Sequence, residues 1–166
     1  MSLLESIYKI THRGVAEEDI PYYWKYSVSK IIMKIVRKWM SQTIIPYCPL
    51  NGLRVSMYRW VGYKIGKNVF IGMRCYLDDM CYDLMEIEDD VIISYGVFFA
   101  CHGKKQGHYP IIIKKGAYIG MRSNIIARKE EGTIIGENAV VGAASLVNKS
   151  VEANTTVAGI PARVLA

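Results

Sequence analysis

From residue 65 onward, a large aliphatic or aromatic residue returns every six positions. The series runs Ile65, Ile71, Leu77, Ile87, Ile93, Phe99, Ile113, Ile119, Ile125, Ile135, Val141 and Val147. Five of these twelve are followed directly by glycine: Gly66, Gly72, Gly120, Gly136 and Gly142. An amphipathic helix repeats at three and four residues and a half-buried strand at two, so a period of six excludes both. It fits a short strand plus a corner, stacked as a solenoid. Residues two places before a series member are small or β-branched, as at Val69, Cys75, Val97, Ala117, Ser123 and Ser145.

The gaps between members are 6, 6, 10, 6, 6, 14, 6, 6, 10, 6 and 6, so every third gap is long. With three hexapeptides to a coil, the three insertions leave from one corner of a triangular prism. They fall at about residues 78–86, 100–112 and 126–134. Loops stacked on a rigid repeat are where such a chain builds a binding site.

The phrases IGKNVFIG, IIIKKGAYIGMRSNII and GTIIGENAVVGAASLVNKSVEANTTVAGIPARVL resemble the hexapeptide-repeat acyltransferases. The resemblance covers about residues 59–166 and points to the sugar O-acetyltransferases, such as galactoside and maltose acetyltransferases and their polysaccharide-biosynthesis relatives. It implies an all-β fold, a left-handed parallel β-helix, with a helical N-terminal segment. It also implies a homotrimer with sites between neighbouring prisms, and acetyl-CoA as co-substrate. The expected division is a basic capping segment over 1–64, a catalytic β-helix over 65–158 and a coenzyme-contacting tail over 159–166.

Acetyl transfer to a hydroxyl needs a base that works near neutral pH, and histidine is the usual choice. His102, in VFFACHGKK, opens the longest insertion and matches the family's general base. His108 lies further along the same loop and is a candidate for substrate contact; His12 lies outside the repeat and reads as structural. Cys101 reads as a packing residue, because alternation turns it away from His102. One loop earlier, the resemblance assigns acceptor hydroxyls to an acidic residue. Asp83 is the preferred match and Asp79 the second. Ordinary solvated surface is the competing reading for both carboxylates.

The family's coenzyme positions map onto Gly120, Met121, Ala143, Asn148, Lys149 and Arg163. Small residues let the extended pantetheine arm reach backbone amides, and Lys149 and Arg163 suit phosphates. Met121 and Asn148 depart from the small residue and threonine usual there. An oxyanion donor is expected from a backbone N–H near Gly120. No metal is expected. A γ-class carbonic anhydrase site needs three histidines from the repeat, and only His102 and His108 occur there.

The charge is uneven. Residues 1–64 hold 10 basic and 4 acidic side chains, and residues 65–166 hold 11 of each. No dense basic run or nucleic-acid motif accompanies the excess, so nucleic acid is not an expected partner. Residues 25–40 read as an amphipathic helix, with Val28, Ile31, Ile32, Ile35, Val36 and Trp39 on one face. One reading rests this helix on an anionic membrane as a peripheral contact. The commoner reading packs it on the prism or on a neighbouring subunit. Pro46, Pro49 and Asn51-Gly52 break the chain before a short element at Val55–Val61. Four cysteines without CxxC spacing, and no signal-peptide pattern, imply reduced thiols in a cytoplasmic protein.

Together these features predict an acetyl-CoA-dependent acetyltransferase that modifies a sugar hydroxyl in surface polysaccharide biosynthesis. The alternatives are an amino sugar, serine or a xenobiotic as acceptor, and, more distantly, a non-catalytic scaffold.

Overall fold

The computed structural model describes residues 3–12, 14, 16, 19–20, 24, 27–103 and 107–165. The chain divides into two compact units, Met1–Trp39 and Met40–Ala166.

The first unit contains helices α1 (Leu3–Thr11) and α2 (Val28–Trp39). The helix expected over 25–40 is thus seen from residue 28, and residues 25 and 26 lie outside the described residues. No helix among the described residues is long and apolar enough to cross a membrane.

The second unit is a β-solenoid of about four turns with three parallel faces. One face stacks Lys64–Ile65, Met85–Ile87, Ile111–Ile113 and Thr133–Ile135. The second stacks Phe70–Ile71, Ile92–Ile93, Tyr118–Ile119, Val140–Val141 and Thr156–Gly159. The third stacks Phe98–Ala100, Asn124–Ile126 and Leu146–Val147. On the second face Phe70 pairs with Ile92, Ile92 with Tyr118 and Tyr118 with Val140, which are steps of 22, 26 and 22 residues. A plain coil of three hexapeptides takes eighteen, so the insertions of four, eight and four residues all leave from the corner between the third and first faces. The next coil is shortened instead: Ile135 bridges Val151, and Val140 pairs with Thr156.

Each hexapeptide sends two residues inward. The series members from Ile71 to Val141 and the small residues two places earlier are almost all buried. A small residue beside a large one lets flat coils stack at strand spacing without voids. The glycines after series members have a separate cause. A Cβ at Gly66, Gly72, Gly120 or Gly136 would stand 2.4–2.5 Å from an atom of the adjacent coil, in three cases a backbone nitrogen. The corners turn through left-handed residues placed three positions before a series member: Asn68, Asp90, Gly96, Gly116, Asn138 and others. Asparagine, aspartate and glycine tolerate that conformation best.

An open solenoid end exposes unpaired backbone. Helix α3 (Asn51–Trp60) covers it at the start of the first coil. Asn51 accepts from the Ile71 amide at 3.0 Å and donates to Val69 O at 3.1 Å. Arg54, 2% exposed, donates from Nε to Ile71 O at 2.7 Å and from its guanidinium to Cys48 O and Asn51 Oδ1. The Tyr58 and Tyr63 hydroxyls donate to Cys75 O and Leu77 O. Burying the guanidinium is tolerable because backbone carbonyls accept its protons. At the far end, Ala162–Val164 turns back antiparallel on Thr156–Gly159 and closes the edge of the second face.

Candidate active site

The three loops at the insertion corner bring together residues far apart in sequence. His102 lies in a short antiparallel pair, His102–Gly103 against Gly107–His108, which projects from the longest insertion. Its Nδ1 lies 2.6 Å from Oδ2 of Asp78, a residue of the preceding loop. Asp78 is fully buried, whereas the His102 side chain is 33% exposed. The same Asp78 oxygen accepts the Cys101 amide at 2.8 Å, and Oδ1 accepts the Met80 amide at 3.1 Å. The carboxylate is thus held on both oxygens. With Nδ1 donating to it, the imidazole tautomer is fixed and Nε2 keeps its lone pair.

Cys101 is buried, and its thiol is pushed up out of the ordinary range, first by burial and then by the Asp78 charge. This is the behaviour of a packing residue and not of a thiolate nucleophile. Cys81, buried beside the pair, is pushed up to about 12 by burial and by Asp78, Asp83 and Asp79. Asp78, Cys81 and His102 place a carboxylate oxygen, a sulfur and a ring nitrogen within 4.8 Å of one another, a donor set that could also hold a soft divalent ion.

The other expected acceptor residues differ from one another in environment. His108 is exposed, with its ring centroid 6.0 Å from that of His102. Asp83 is exposed, on a 3-10 turn at Tyr82–Leu84. Asp79 is 9% exposed, and its Oδ1 accepts from Gln42 Nε2 at 2.8 Å and from the Tyr76 hydroxyl at 3.1 Å. Its position suits holding the loop in place, and Asp83 has the free surface.

The coenzyme candidates form two groups. Asn148, Lys149 and Arg163 line one surface cleft of about 320 Å³, with Ser150, Thr155 and Ala162. Gly120, Met121 and Ala143 lie at a different corner, where consecutive coils stack; the Ala144 amide donates to Met121 O at 2.8 Å. Gly120 is buried, while Met121 and Ala143 are exposed. The oxyanion donor expected near Gly120 is not the Gly120 amide itself, because that N–H donates to Val141 O at 2.7 Å. A glycine chosen for close approach between coils is one whose amide the ladder already uses.

A solenoid of hexapeptide coils with a fixed histidine at its insertion corner defines a class, and the likenesses bear on that class. No protein-family model matches the chain. It is 27% identical over 146 residues to YvoF of Bacillus subtilis (strain 168), a provisional acetyltransferase, across 86% of this chain and 83% of that protein. It is 31% identical over 122 residues to galactoside O-acetyltransferase of Escherichia coli (strain K12), across 63% of this chain and 57% of that enzyme. It is 38% identical over 79 residues to serine acetyltransferase of Salmonella typhimurium, across 48% of this chain and only 28% of that enzyme. Among solved structures, the hexapeptide-repeat acetyltransferase VCA0836 of Vibrio cholerae superposes with a TM-score of 0.64 at 22% identity, over 84% of this chain and 93% of that one. The same protein complexed with acetyl coenzyme A gives 0.65 at 24%. In sequence the chain is similar to acetyltransferases, and in fold to a hexapeptide-repeat acetyltransferase.

Asp78, the partner of His102, is the residue of this corner that the sequence reading did not single out. The coil step is the signal that could have found it. Tyr76 bridges Phe98, so Asp78 lies beneath Ala100, two residues from His102.

Proposed function

We propose that this protein transfers an acetyl group from acetyl-CoA to a sugar hydroxyl, with His102 as general base and Asp78 as its positioning residue. The observation that carries this is the 2.6 Å contact between His102 Nδ1 and a buried, doubly anchored carboxylate. His102 Nε2 takes the acceptor hydroxyl proton as that oxygen bonds to the thioester carbonyl carbon. When the carbon–sulfur bond breaks, the same proton passes to the departing thiolate. Asp83 and His108, exposed on the two neighbouring loops, are suited to hold acceptor hydroxyls. Lys149 and Arg163 in the terminal cleft are suited to coenzyme phosphates.

The sugar acceptor rests on the likeness to galactoside O-acetyltransferase. Serine is the second reading, favoured by the serine acetyltransferase likeness. A role in surface polysaccharide synthesis belongs to the first reading. A thiol-release assay with acetyl-CoA and a panel of sugars, nucleotide sugars, amino sugars and serine separates them. Release with serine alone overturns the sugar reading, and release with none overturns both.

We also infer a homotrimer. Phe70, Ile92 and Tyr118 form a ladder of paired residues on the outside of the second face, each more than 40% exposed. Apolar rows of this kind suit burial against a second copy. A monomer by light scattering at working concentration, with activity intact, would refute it.

A further inference from the structure

We propose that α2 is a docking element for an anionic lipid bilayer surface. Its sequence, VSKIIMKIVRKW, contains no acidic residue and four basic ones. Val28, Ile32, Ile35 and Trp39 follow spacings of four, three and four, which align them along one helical face. All four are exposed, by 41%, 56%, 63% and 58%, and no residue of α2 is buried. Ile31 and Val36 flank this stripe and are partly covered. Lys30, Lys34, Arg37 and Lys38 occupy the opposite arc. A helix with this division lies in the plane of a membrane interface: its apolar stripe enters the acyl boundary and its cations meet the headgroups. Trp39 at the C-terminal end of the stripe is of the residue type that prefers that boundary.

Charge decides between a bilayer and a second copy as the occupant. The whole net charge of the protein, +6, resides in residues 1–64, and residues 65–166 are balanced at 11 basic and 11 acidic. Self-association through α2 would bring two basic helices together, and the rest of the chain offers no net negative charge to relieve them. An anionic surface offers counter-charge to the basic arc and an acyl boundary to the apolar stripe. It would also stabilise a twelve-residue helix, a length that is marginal alone in water. This inference is independent of the acetyl-transfer reading, and its test reads lipid binding, not catalysis.

The test is co-sedimentation of the full chain with vesicles of phosphatidylcholine alone and of phosphatidylcholine with about 30% phosphatidylglycerol, at low and high salt. We expect roughly tenfold or stronger partition onto the anionic vesicles, weakened by salt, with a blue shift of tryptophan emission that Trp39→Phe reduces. The double variant Ile32→Ser, Ile35→Ser should lose about tenfold in partition, and Lys30→Gln with Lys38→Gln should lose most of the preference for anionic lipid. The wild-type comparison needs no variant to fold. Equal partition onto both vesicles, or none onto either, overturns the proposal. So does an Ile32/Ile35 variant that changes oligomeric state and leaves vesicle binding intact, which would make a second copy the occupant.

Discussion

Asp78 and His102 stand 24 positions apart in the chain and 2.6 Å apart in space. The contact exists because two insertions leave the solenoid at the same corner on consecutive coils. The earlier one tucks its first carboxylate inward and the later one returns a histidine above it. Asp78 also accepts the amide of Cys101, the residue just before that histidine. One buried carboxylate therefore fixes both the ring and the backbone that carries it.

His102→Ala should lower acetyl transfer by roughly two to four orders of magnitude. Coenzyme affinity should stay close to the parent, while thermal stability should fall somewhat, because the buried Asp78 loses its ring partner and keeps only the Cys101 and Met80 amides. Asp78→Asn tests the pair. Oδ2 accepts from both the Cys101 amide and Nδ1, so an NH2 in its place loses the Cys101 bond, makes the ring accept at Nδ1 and puts the proton on Nε2; an NH2 in the place of Oδ1 faces the Met80 amide instead. We expect kcat to fall by about 10- to 1,000-fold with little change in coenzyme KM, and an altered pH profile. A normal kcat and profile in Asp78→Asn would remove the positioning role. His108→Ala should be milder, with its effect mainly on acceptor KM.

The repeat was legible because its cause is steric and periodic. A residue that must fill the prism recurs wherever the chain passes the same face, and the phase of the long gaps marks one corner. The end of the solenoid was less legible. Val151 and Val157 continue the inward series after Val147, but the shortened corner breaks the six-residue count there. The capping function of Asn51 and Arg54 left no periodic trace, since each acts once, on the exposed edge of the first coil. Among the acidic loop residues, sequence alone favoured Asp83 and Asp79. Choosing Asp78 requires knowing which residue of one coil stacks beneath which residue of the next.

Acetyl-CoA should raise the melting temperature of the parent protein, since a ligand bound only by the folded state shifts the equilibrium toward it. Lys149→Ala and Arg163→Ala should each shrink that shift and raise coenzyme KM. Rates at saturating coenzyme should change little, because both residues line the cleft at the terminal coil and not the loops around His102. Unchanged coenzyme affinity in both variants would exclude the terminal cleft as the phosphate site.

Two glycines make a paired test of coil stacking. A Cβ at Gly72 would stand 2.5 Å from the Tyr95 amide nitrogen, so Gly72→Ala must push two coils apart. A loss of about 1–3 kcal/mol by chemical denaturation is expected. Gly52, in the first turn of α3, has nothing within 4 Å of the same position. Gly52→Ala should be neutral or stabilise by up to about 0.5–1 kcal/mol, because alanine restricts the unfolded chain and favours helix. Similar losses in both would mean that backbone freedom, and not coil spacing, explains the glycines.

Stability should fall on the alkaline side. Cys81 is pushed up to about 12 by burial and by the neighbouring carboxylates, and burial pushes Cys75 and Cys101 up as well. A thiol in the unfolded chain ionises near about 8.5, so below that pH both states are neutral and the stability is fully present. Above it the unfolded state releases protons that the folded state retains, and stability declines until the folded thiols also titrate. While that window lasts, each such thiol costs about 1.4 kcal/mol per pH unit. Denaturation midpoints should therefore hold steady from about pH 7 to 8 and drop progressively from about pH 9 to 11. Cys81→Ala should flatten part of the slope. Thiol reagents at mildly alkaline pH should reach Cys48 first, since it alone of the four cysteines is not buried. A flat stability profile to pH 11, or modification of Cys81 ahead of Cys48, would show that the loop opens far more readily than its hydrogen bonds to Asp78 imply.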